Sequence, residues 1–381
     1  MFLALRELAF ARGRFSLMGL VIGLIAILMV LLSGLSAGLV NDGVSGLKAM
    51  DADVIAFEEG TQTDSAFTRS VVDLSAAGDL AAAEGVEETT PMGLTIVNAR
   101  NQDATPVDLT LVGVEPDSFI APAGLPAMSP GRVDGQPTPT PHEVVLSGTL
   151  QDDGLSVGDT VILDRLETEL TVVGFTDDQR TFGHVDLAYV PLDIWQEVHA
   201  GARAGEAAAP YAYDQASVVV ARAPEADVEK LSAAAGLDAR PLEESFGSSP
   251  GYSAETMTLS MIEWFLYIIT ALVTGAFFLV WTIQRAGDIA VMRAMGATRA
   301  FLLRDSLGQA VVILALSIAV GVALAVGLGL WLESTPMPYV TEAGSVLAGA
   351  ALLFIAGLVG ALIAVFRVTR TDPLTALGEN R

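Results

Sequence analysis

The chain has 381 residues, of which 52% are apolar and 17% are charged, and its formal net charge is −25 at pH 7. Soluble domains have about a quarter of their residues charged, and so acidic a chain argues against a nucleic-acid partner, because phosphate backbones bind basic surfaces. It contains no cysteine, which excludes disulfides and thiolate metal sites.

Charge is absent from four stretches of the chain, at residues 15–41, 264–284, 306–332 and 343–366. Each reaches the roughly 20 residues that a helix needs to cross a bilayer. The first is about twice as long as the apolar core of a cleaved signal peptide, which has roughly 7–15 residues, so we expect it to remain as a span. The sequence therefore predicts an α-helical membrane protein with four transmembrane helices.

Arginine placement predicts which side of the membrane each connecting segment occupies. Arginines cluster in three segments: Arg6, Arg12 and Arg14 before span one, Arg285, Arg293, Arg299 and Arg304 between spans two and three, and Arg367, Arg370 and Arg381 after span four. The loop at 333–342 has no basic residue. We therefore expect a multi-pass protein of the cell membrane, with both termini in the cytoplasm.

The beginning of the chain predicts a membrane-associated helix followed by a span. Residues 1–14 place apolar side chains at helical spacing, which predicts a cytoplasmic amphipathic helix on the lipid of the inner leaflet. Residues 15–41 form transmembrane helix 1 and the start of a stalk, and contain Gly19-xxx-Gly23 and Gly34-xxx-Gly38. This spacing lets another helix approach closely, although glycine is common enough in membrane helices for chance to produce it.

Residues 42–256 are expected to form a large mixed α/β extracytoplasmic domain, which is long enough to bury its own core. β-rich runs occupy residues 52–57, 94–98, 107–114, 144–146, 160–163, 170–175 and 187–190, and helical patterns occupy residues 192–199 and 225–235. This order predicts a small α/β lobe with a β-rich insertion.

The remaining segments alternate between membrane and solvent. They are transmembrane helix 2 (257–284), a cytoplasmic segment (285–305), transmembrane helix 3 (306–332), an outer loop (333–342), transmembrane helix 4 (343–366) and a cytoplasmic tail (367–381).

Several kinds of catalytic site are excluded by the sequence. The two lysines, Lys48 and Lys230, lie outside any G-x-x-x-x-G-K-[ST] pattern, so the chain has no P-loop with which to hydrolyse ATP. The three histidines, His142, His184 and His199, are scattered and form no H-E-x-x-H pattern. We therefore expect that this chain is not an enzyme and holds no metal.

One G-x-S-x-G match, at residues 247–251, has Ser249 at its centre. A nucleophile elbow needs a helix directly after the serine and a histidine later in the chain. Pro250 follows the serine directly, and no histidine occurs after His199. The match is therefore interpreted as a flexible loop before span two.

Two cytoplasmic segments carry the most specific patterns. Residues 285–297 read R-A-G-D-I-A-V-M-R-A-M-G-A, and residues 372–378 read D-P-L-T-A-L-G. The first resembles the E-I-x-x-x-R-A-x-G-A coupling segment of MacB/FtsX-type ABC transporter permeases, and the second resembles their C-terminal P-x-x-A-L motif. Asp288 stands where that family usually has glutamate, which keeps the charge. The topology of one span, a large outer domain and three further spans is similar to the same family.

The resemblance implies that a separate ABC ATPase subunit docks on these segments. The implied coupling residues are Asp288, Ile289, Met292, Arg293, Met295, Gly296, Pro373 and Leu377. A short helix with one apolar face suits a groove on a partner protein. The resemblance further implies a homodimer of the permease with two ATPases, and mechanotransmission, in which ATPase closure moves the spans and the outer domain without opening a pore.

The start of the chain and residues 47–57 most resemble the haem-exporter branch of this family, which implies haem as the transported substrate, with no intrinsic cofactor. Haem binding needs an apolar slot and an axial ligand such as methionine, tyrosine or a carboxylate. Candidates near the outer membrane face are Met50, Glu58, Glu59, Tyr252, Met257 and Met261. Helix packing is an alternative role for the methionines, and solvation is the alternative for the two glutamates.

Two other functions stay open at this point. The first is export of another amphiphile, such as a peptide, an antibiotic or a lipid. The second is a non-transporting regulator of cell-wall hydrolases, as in the cell-division member of the family, whose outer domain is usually much smaller than residues 42–256 here.

Overall fold

The fold was obtained as a computed structural model. The structure describes residues 12–122, 129–133, 135–138, 141–284, 287, 291, 295–296, 298–335 and 337–369. The chain divides into two compact units. The membrane unit comprises Met1–Leu39 and Thr256–Arg381, and the outer unit comprises Val40–Glu255.

Ten helices are described here. In chain order they are α1 (Arg12–Lys48), α2 (Ala66–Arg69), α3 (Ser75–Ala81), α4 (Thr149–Asp152), α5 (Leu192–Ala200), α6 (Val228–Ala235), α7 (Leu242–Ser245), α8 (Tyr252–Gln284), α9 (Arg299–Leu332) and α10 (Ala343–Thr369). Two short 3₁₀ segments, Pro210–Asp214 and Phe246–Ser248, lie between them.

The described strands all lie in the outer unit. They are β1 (Val54–Glu58), β2 (Val72–Asp73), β3 (Glu88–Asn101), β4 (Pro106–Val114), β5 (Arg132–Val133), β6 (Gln136–Pro137), β7 (His142–Leu146), β8 (Thr160–Leu163), β9 (Glu169–Phe175), β10 (Thr181–Phe182), β11 (Val185–Pro191), β12 (Gln215–Ala216), β13 (Val218–Arg222) and β14 (Leu237–Pro241).

In the described part of the chain, four helices are long and apolar enough to cross a membrane: α1, α8, α9 and α10. This confirms the predicted fold class of four transmembrane helices with a mixed α/β domain. The helices α1 and α8 each have residues in both units. The amphipathic helix predicted at 1–14 lies almost wholly outside the described residues, which begin at Arg12.

The first glycine pair of α1 packs against α9. The side chain of Ser317 faces Gly19, and a Cβ atom on Gly321 would lie 2.6 Å from the carbonyl oxygen of Gly23. The two backbones therefore touch, which requires small residues on both helices. The predicted close helix contact is confirmed for this pair.

The second glycine pair of α1 has a different partner. Gly34 faces the ring of Tyr339, and Gly38 faces the backbone of Pro338. The Val340 N–H donates to the Gly34 carbonyl over 3.1 Å. These partners belong to the loop between α9 and α10, so here the small residues make room for a loop and not for a helix.

Six strands of the outer unit close into a barrel. β3 pairs with β4, β4 with β11, β11 with β7, β7 with β9, β9 with β8, and β8 with β3. Side chains alternate across each strand, and the inward set, which includes Leu109, Leu111, Val161 and Leu163, is fully buried in one apolar cluster. The alternation of apolar residues along β4 and β8 thus fills the barrel interior.

The outer unit also contains a four-stranded antiparallel sheet in the order β14-β1-β13-β3 and two two-stranded sheets, β2-β12 and β5-β6. Val54 and Ala56 of β1 pack in one cluster with Leu80 of α3 and Leu231 of α6. The alternate residues of β1 belong to a second cluster on the opposite face. The long strand β3 is shared between sheet and barrel, so the predicted lobe with a β-rich insertion matches the fold.

Candidate functional site

The α1 helix bends inside the outer unit. Val44 has φ −146° and ψ 17°, which are not helical values, while the residues on both sides are helical. The side chain of Val44 is fully buried. Kinks of this kind have an identifiable cause where another group bonds to the helix backbone.

A tight hairpin contacts the helix at this bend. Strands β10 and β11 are joined by the two residues Gly183 and His184, with φ of 59° and 63°. Two positive φ values in a two-residue loop match the type I′ turn, whose twist suits a hairpin. A positive φ is uncommon outside glycine, although histidine adopts it more often than most residues, so the turn holds the backbone of His184 in a conformation that few loop residues adopt.

Hydrogen bonds join the hairpin, the bend and the segment before α8. The Gly43 carbonyl accepts from the Gly183 N–H (2.9 Å) and from the Ser249 hydroxyl (3.0 Å). The Ser249 oxygen in turn accepts from the Gly183 N–H over 3.1 Å. Ser249 is 0% exposed. The interpretation of Ser249 as part of a flexible loop was wrong, because its buried hydroxyl donates one hydrogen bond to Gly43 and accepts another from Gly183.

A second set of contacts lies one residue beyond the bend. The hydroxyl oxygens of Ser45 and Thr181 are 2.6 Å apart, and the Thr181 N–H donates to the Ser45 oxygen over 2.8 Å. Both side chains are buried. A Cβ atom on Gly46 would collide with the side chain of Leu187. The hairpin therefore packs directly against α1, and the buried hydroxyls of Ser45 and Thr181 are hydrogen-bonded to each other.

The His184 ring lies between carboxylates of two helices. Its Nδ1 is 2.9 Å from Oδ2 of Asp42 on α1, and its Nε2 is 3.2 Å from Oε2 of Glu255 on α8. Gln179 donates to the other oxygen of Asp42 over 2.8 Å. We call His184, Asp42 and Glu255 the histidine clamp. All three lie in the outer unit, which comprises Val40–Glu255. The clamp therefore links the segment with which the chain enters this unit, at Asp42, to the segment with which it leaves, at Glu255.

The charge of the clamp follows from its geometry. Burial acts to lower the pKa of His184, but the hydrogen bonds and charges of Asp42 and Glu255 outweigh it and raise the pKa above its ordinary value of 6.5. A neutral imidazole has one N–H, whereas an imidazolium has two. Only the imidazolium donates to both carboxylates at once.

The predicted haem ligands of the outer unit differ in access. Met50 is 8% exposed and belongs to the apolar core, which leaves its sulfur little room for a ligand. Glu58 and Glu59 are exposed at the end of β1, where Glu58 also accepts from the Val71 N–H over 3.4 Å. Tyr252 is partly buried and packs against the same core.

The two predicted ligands of the membrane unit share one exposed helix face. Met257 and Met261 of α8 are 75% and 52% exposed. Residues four apart lie on the same side of a helix, and the exposed Trp264 continues this face. The structure thus brings these two methionines together, while their role as ligands stays a prediction.

The coupling residues are only partly described. Asp288, Ile289, Met292, Arg293, Pro373 and Leu377 lie outside the described residues. Met295 is 76% exposed, and its N–H donates to the Val291 carbonyl over 3.0 Å, as in a helical turn. Val291 is 59% exposed. An apolar pair four residues apart is therefore open to a partner.

Gly296 ends this turn with φ +97°. Glycine adopts such values without a steric cost and commonly stands just after a helix. Two residues later, the Thr298 hydroxyl accepts from the Phe301 N–H over 3.2 Å and caps α9. Backbone conformation thus explains why glycine stands at this position of the R-A-x-G-A pattern, since Gly296 lies in the turn between the coupling segment and span three.

The histidine clamp was not predicted from the sequence. His184 is one of three scattered histidines there, and Asp42 and Glu255 are far from it along the chain. The Gly-His pair between two β-rich runs was the available signal, since it marks a turn. Among the described residues, no group of three or more His, Asp and Glu side chains is arranged to hold a metal ion.

Family models match most of the chain. Residues 15–236 match the MacB-like periplasmic core domain, and residues 260–373 match the FtsX-like permease C-terminal domain. A relative from Staphylococcus haemolyticus, named as a hemin transport system permease protein, HrtB, is 26% identical over 99% of both chains. A relative of the same name from Staphylococcus epidermidis is 21% identical over 99% of both chains.

Two solved structures are similar to about half of the chain. The extracellular domain of the ABC-type transporter YknZ from Gram-positive bacteria has a TM-score of 0.30 and 13% identity, covering 50% of this chain and 98% of that one. The periplasmic region of MacB from Actinobacillus actinomycetemcomitans has a TM-score of 0.30 and 16% identity, covering 51% of this chain and 89% of that one. On the match to the two domain models, the chain belongs to the MacB/FtsX-type family and is the membrane subunit of an ABC transporter.

Proposed function

We propose that this permease couples ATP hydrolysis by a separate ATPase subunit to extrusion of haem from the outer leaflet of the cell membrane. The observation that carries the proposal is the full-length similarity to permeases named for hemin transport, which extends over 99% of each chain. The chain has no P-loop of its own. Its membership of a family of ABC transporter permeases implies that a separate subunit hydrolyses ATP.

The exposed pair Val291 and Met295 supports docking of that subunit at the coupling segment. Two apolar side chains on one helical turn contribute contact area when a partner groove covers them. Gly296 and the capped start of α9 make the connection to span three short and defined. Movement of the coupling segment therefore passes to α9, and through the Gly23–Gly321 contact to α1.

The exposed face of α8 supports haem as the cargo. Haem has a flat apolar ring whose iron binds thioether sulfur, and Met257, Met261 and Trp264 present sulfur atoms and an aromatic ring on one helix face. One helix face covers only one side of a flat ligand. A second copy of the chain, related by a two-fold axis, would present the same face to the other side. We therefore propose a homodimer with two ATPase subunits.

Haem-dependent ATP hydrolysis tests the function. The full-length permease, purified in lipid nanodiscs with its ATPase subunit, should hydrolyse ATP faster when haem is added, and the spectrum of the bound haem should differ from that of free haem. If a peptide, an antibiotic or a lipid stimulates ATP hydrolysis and haem does not, the cargo is another amphiphile. If nothing stimulates it, the complex acts as a regulator of other enzymes.

Substitution of the ligand candidates tests the site. Replacing Met257 and Met261 by alanine should weaken haem binding by about tenfold for each lost coordination bond, on the scale of a single strong polar contact. Leu272→Ala is the matched control, because Leu272 is an exposed apolar residue of the same helix without a ligating atom. Glu58→Gln with Glu59→Gln tests the carboxylate alternative by the same titration.

A further inference from the structure

We propose that the β10–β11 hairpin is a transmission contact and that His184 is its positioning residue, tying the bent end of α1 to the first turn of α8. This proposal rests on the proposed coupling to ATP hydrolysis. His184 touches neither cargo nor nucleotide and acts through the two helices that it joins.

The bend in α1 gives the contact something to control. A helix that departs from helical angles at one residue can change its direction there with little loss of other hydrogen bonds. The angle at Val44 is held from outside by Gly183 and Ser249, which both donate to the Gly43 carbonyl. The hairpin therefore fixes the direction in which α1 continues beyond the bend.

The clamp extends this control to α8. One ring nitrogen of His184 faces α1 and the other faces α8, and each faces a different carboxylate. Among the described residues, the charged groups that act on His184 are the carboxylates of Asp42 and Glu255. On the hairpin itself, the Asp186 carboxylate accepts from the Thr149 hydroxyl. The ring thus bridges two carboxylates, one on each helix, that would otherwise repel each other.

The state of the clamp depends on external pH. The imidazolium donates to both carboxylates, whereas the neutral ring donates to one and turns a lone pair toward the other. As pH rises through the raised pKa of His184, one of the two contacts is lost. Coupling between the helices should therefore be strongest in acidic surroundings and weaker in alkaline ones.

The first experiment measures the spacing of the two helices in the permease alone. The chain has no native cysteine, so spin labels at Lys48→Cys and Ala254→Cys are the only ones present. Both positions are exposed and lie in the outer unit. In full-length protein in nanodiscs, the distance distribution should be narrow near pH 5 and broader near pH 8, a range set by histidine titration.

Variants at His184 separate a positioning role from a packing role. His184→Ala should give the broad distribution at both pH values, and His184→Arg, a permanent cation with several donors, should give the narrow one at both. His199→Ala is the control: its ring stacks on Trp195 at 4.6 Å and bonds to Thr95, and none of the described carboxylates acts on its pKa. If the width of the distance distribution changes neither with pH nor with the His184 variants, the proposal is overturned.

The second experiment measures coupling in the complete complex. Haem-stimulated ATP hydrolysis should fall about tenfold in His184→Ala at acidic pH, the scale of losing hydrogen bonds to charged groups, while hydrolysis without haem stays unchanged. His184→Arg should restore the stimulation and remove its pH dependence. If the wild type shows no haem stimulation at all, the proposed function fails, and the spin-label result still decides whether the clamp exists.

If the spin labels respond as expected and the stimulated rate is the same in His184→Ala and wild type, the clamp joins the helices without transmitting their movement, and the transmission proposal is overturned. Size-exclusion profiles and thermal unfolding of each variant show whether it is folded. His184→Gln, which keeps one donor and no charge, provides a further variant if His184→Ala does not fold.

Discussion

The helix α1 is held in two different ways along its length. At Gly23, in the membrane unit, it is held by backbone contact with Gly321 of α9. In the outer unit it is held by hydrogen bonds around a bend, where Gly43, Ser45 and Asp42 meet the hairpin and its neighbours. The difference follows from the solvent, because lipid penalises unsatisfied polar groups and favours close packing of small residues.

This comparison suggests a division of roles. A glycine contact is rigid, since neither backbone can move closer and each loses packing when they separate. A bend held by hydrogen bonds and a histidine can switch, because its contacts depend on protonation. We expect α1 to move as one body with α9 in the membrane unit and to change direction at Val44.

The glycine contact should give the largest effect. Gly321→Ala places a Cβ atom 2.6 Å from the Gly23 carbonyl, so the helices must separate at a cost of about 1–3 kcal/mol in the free energy of unfolding. Denaturation of the full chain in detergent measures it. Gly327→Ala on the same helix meets no atom within 4 Å and should be neutral or slightly stabilising. Equal effects of the two substitutions would contradict the backbone contact.

Removal of the buried hydroxyl at the bend should have the next largest effect. Ser249→Ala leaves the Gly43 carbonyl with one donor fewer and removes one of the two acceptors of the Gly183 N–H, which costs about 0.5–1.5 kcal/mol. Ser156→Ala, at an exposed position, should change stability by less than about 0.5 kcal/mol. Both are measured by the same denaturation. If Ser249→Ala is as mild as Ser156→Ala, the bend does not depend on this hydroxyl.

Stability should also depend on pH through His184. Because the folded protein raises the pKa of this group, it binds the proton more tightly than the unfolded chain. The stabilisation that His184 contributes is fully present at pH values below its ordinary pKa of 6.5. It is lost as the pH rises through the higher pKa of the folded state. The difference in unfolding free energy between wild type and His184→Gln should therefore shrink with rising pH. His142 and His199, whose pKa values burial lowers, contribute equally to both proteins and cancel.

The smallest effect is expected at the cytoplasmic turn. Gly296→Ala forces a side chain into φ +97° and should cost about 1 kcal/mol locally. Because the turn is exposed, the change should appear mainly in the apparent affinity for the ATPase subunit, measured by titration of one subunit against the other. Gly287→Ala, where a Cβ atom meets nothing within 4 Å and φ is not positive, is the control. A loss of affinity in both variants would point to a general disturbance of the segment.

Much of the fold could be predicted from the sequence because it depends on local composition. Missing charge located the four spans, and β-rich runs located the strands around residues 94–98 and 107–114. The closure of the barrel could not be predicted, since the parallel pairing of β4 with β11 joins segments about 75 residues apart in the chain. The contact between Gly23 and Gly321 was predictable in kind from the G-x-x-x-G spacing, but its partner helix was not.

The candidate site was predictable only where a motif carries it. The R-A-x-G-A pattern pointed to Gly296, and the structure supplies the reason in its positive φ. The clamp depends on side chains that meet only after the outer unit has folded, and nothing near His184 in the sequence marks Asp42 or Glu255 as its partners. Ser249 shows the converse, because a familiar pattern surrounds a residue whose role is to hold a helix bend.

Haem transfer by the reconstituted transporter tests the central claim most directly. The full-length permease and its ATPase subunit are placed in liposomes that contain haem, with the outer unit facing the bulk solution and an apo-haem-binding protein present there as acceptor. We expect ATP supplied to the cytoplasmic side to speed the appearance of haem on the acceptor, and Met257→Ala with Met261→Ala to abolish the increase. A transfer rate that is the same with and without ATP would contradict it.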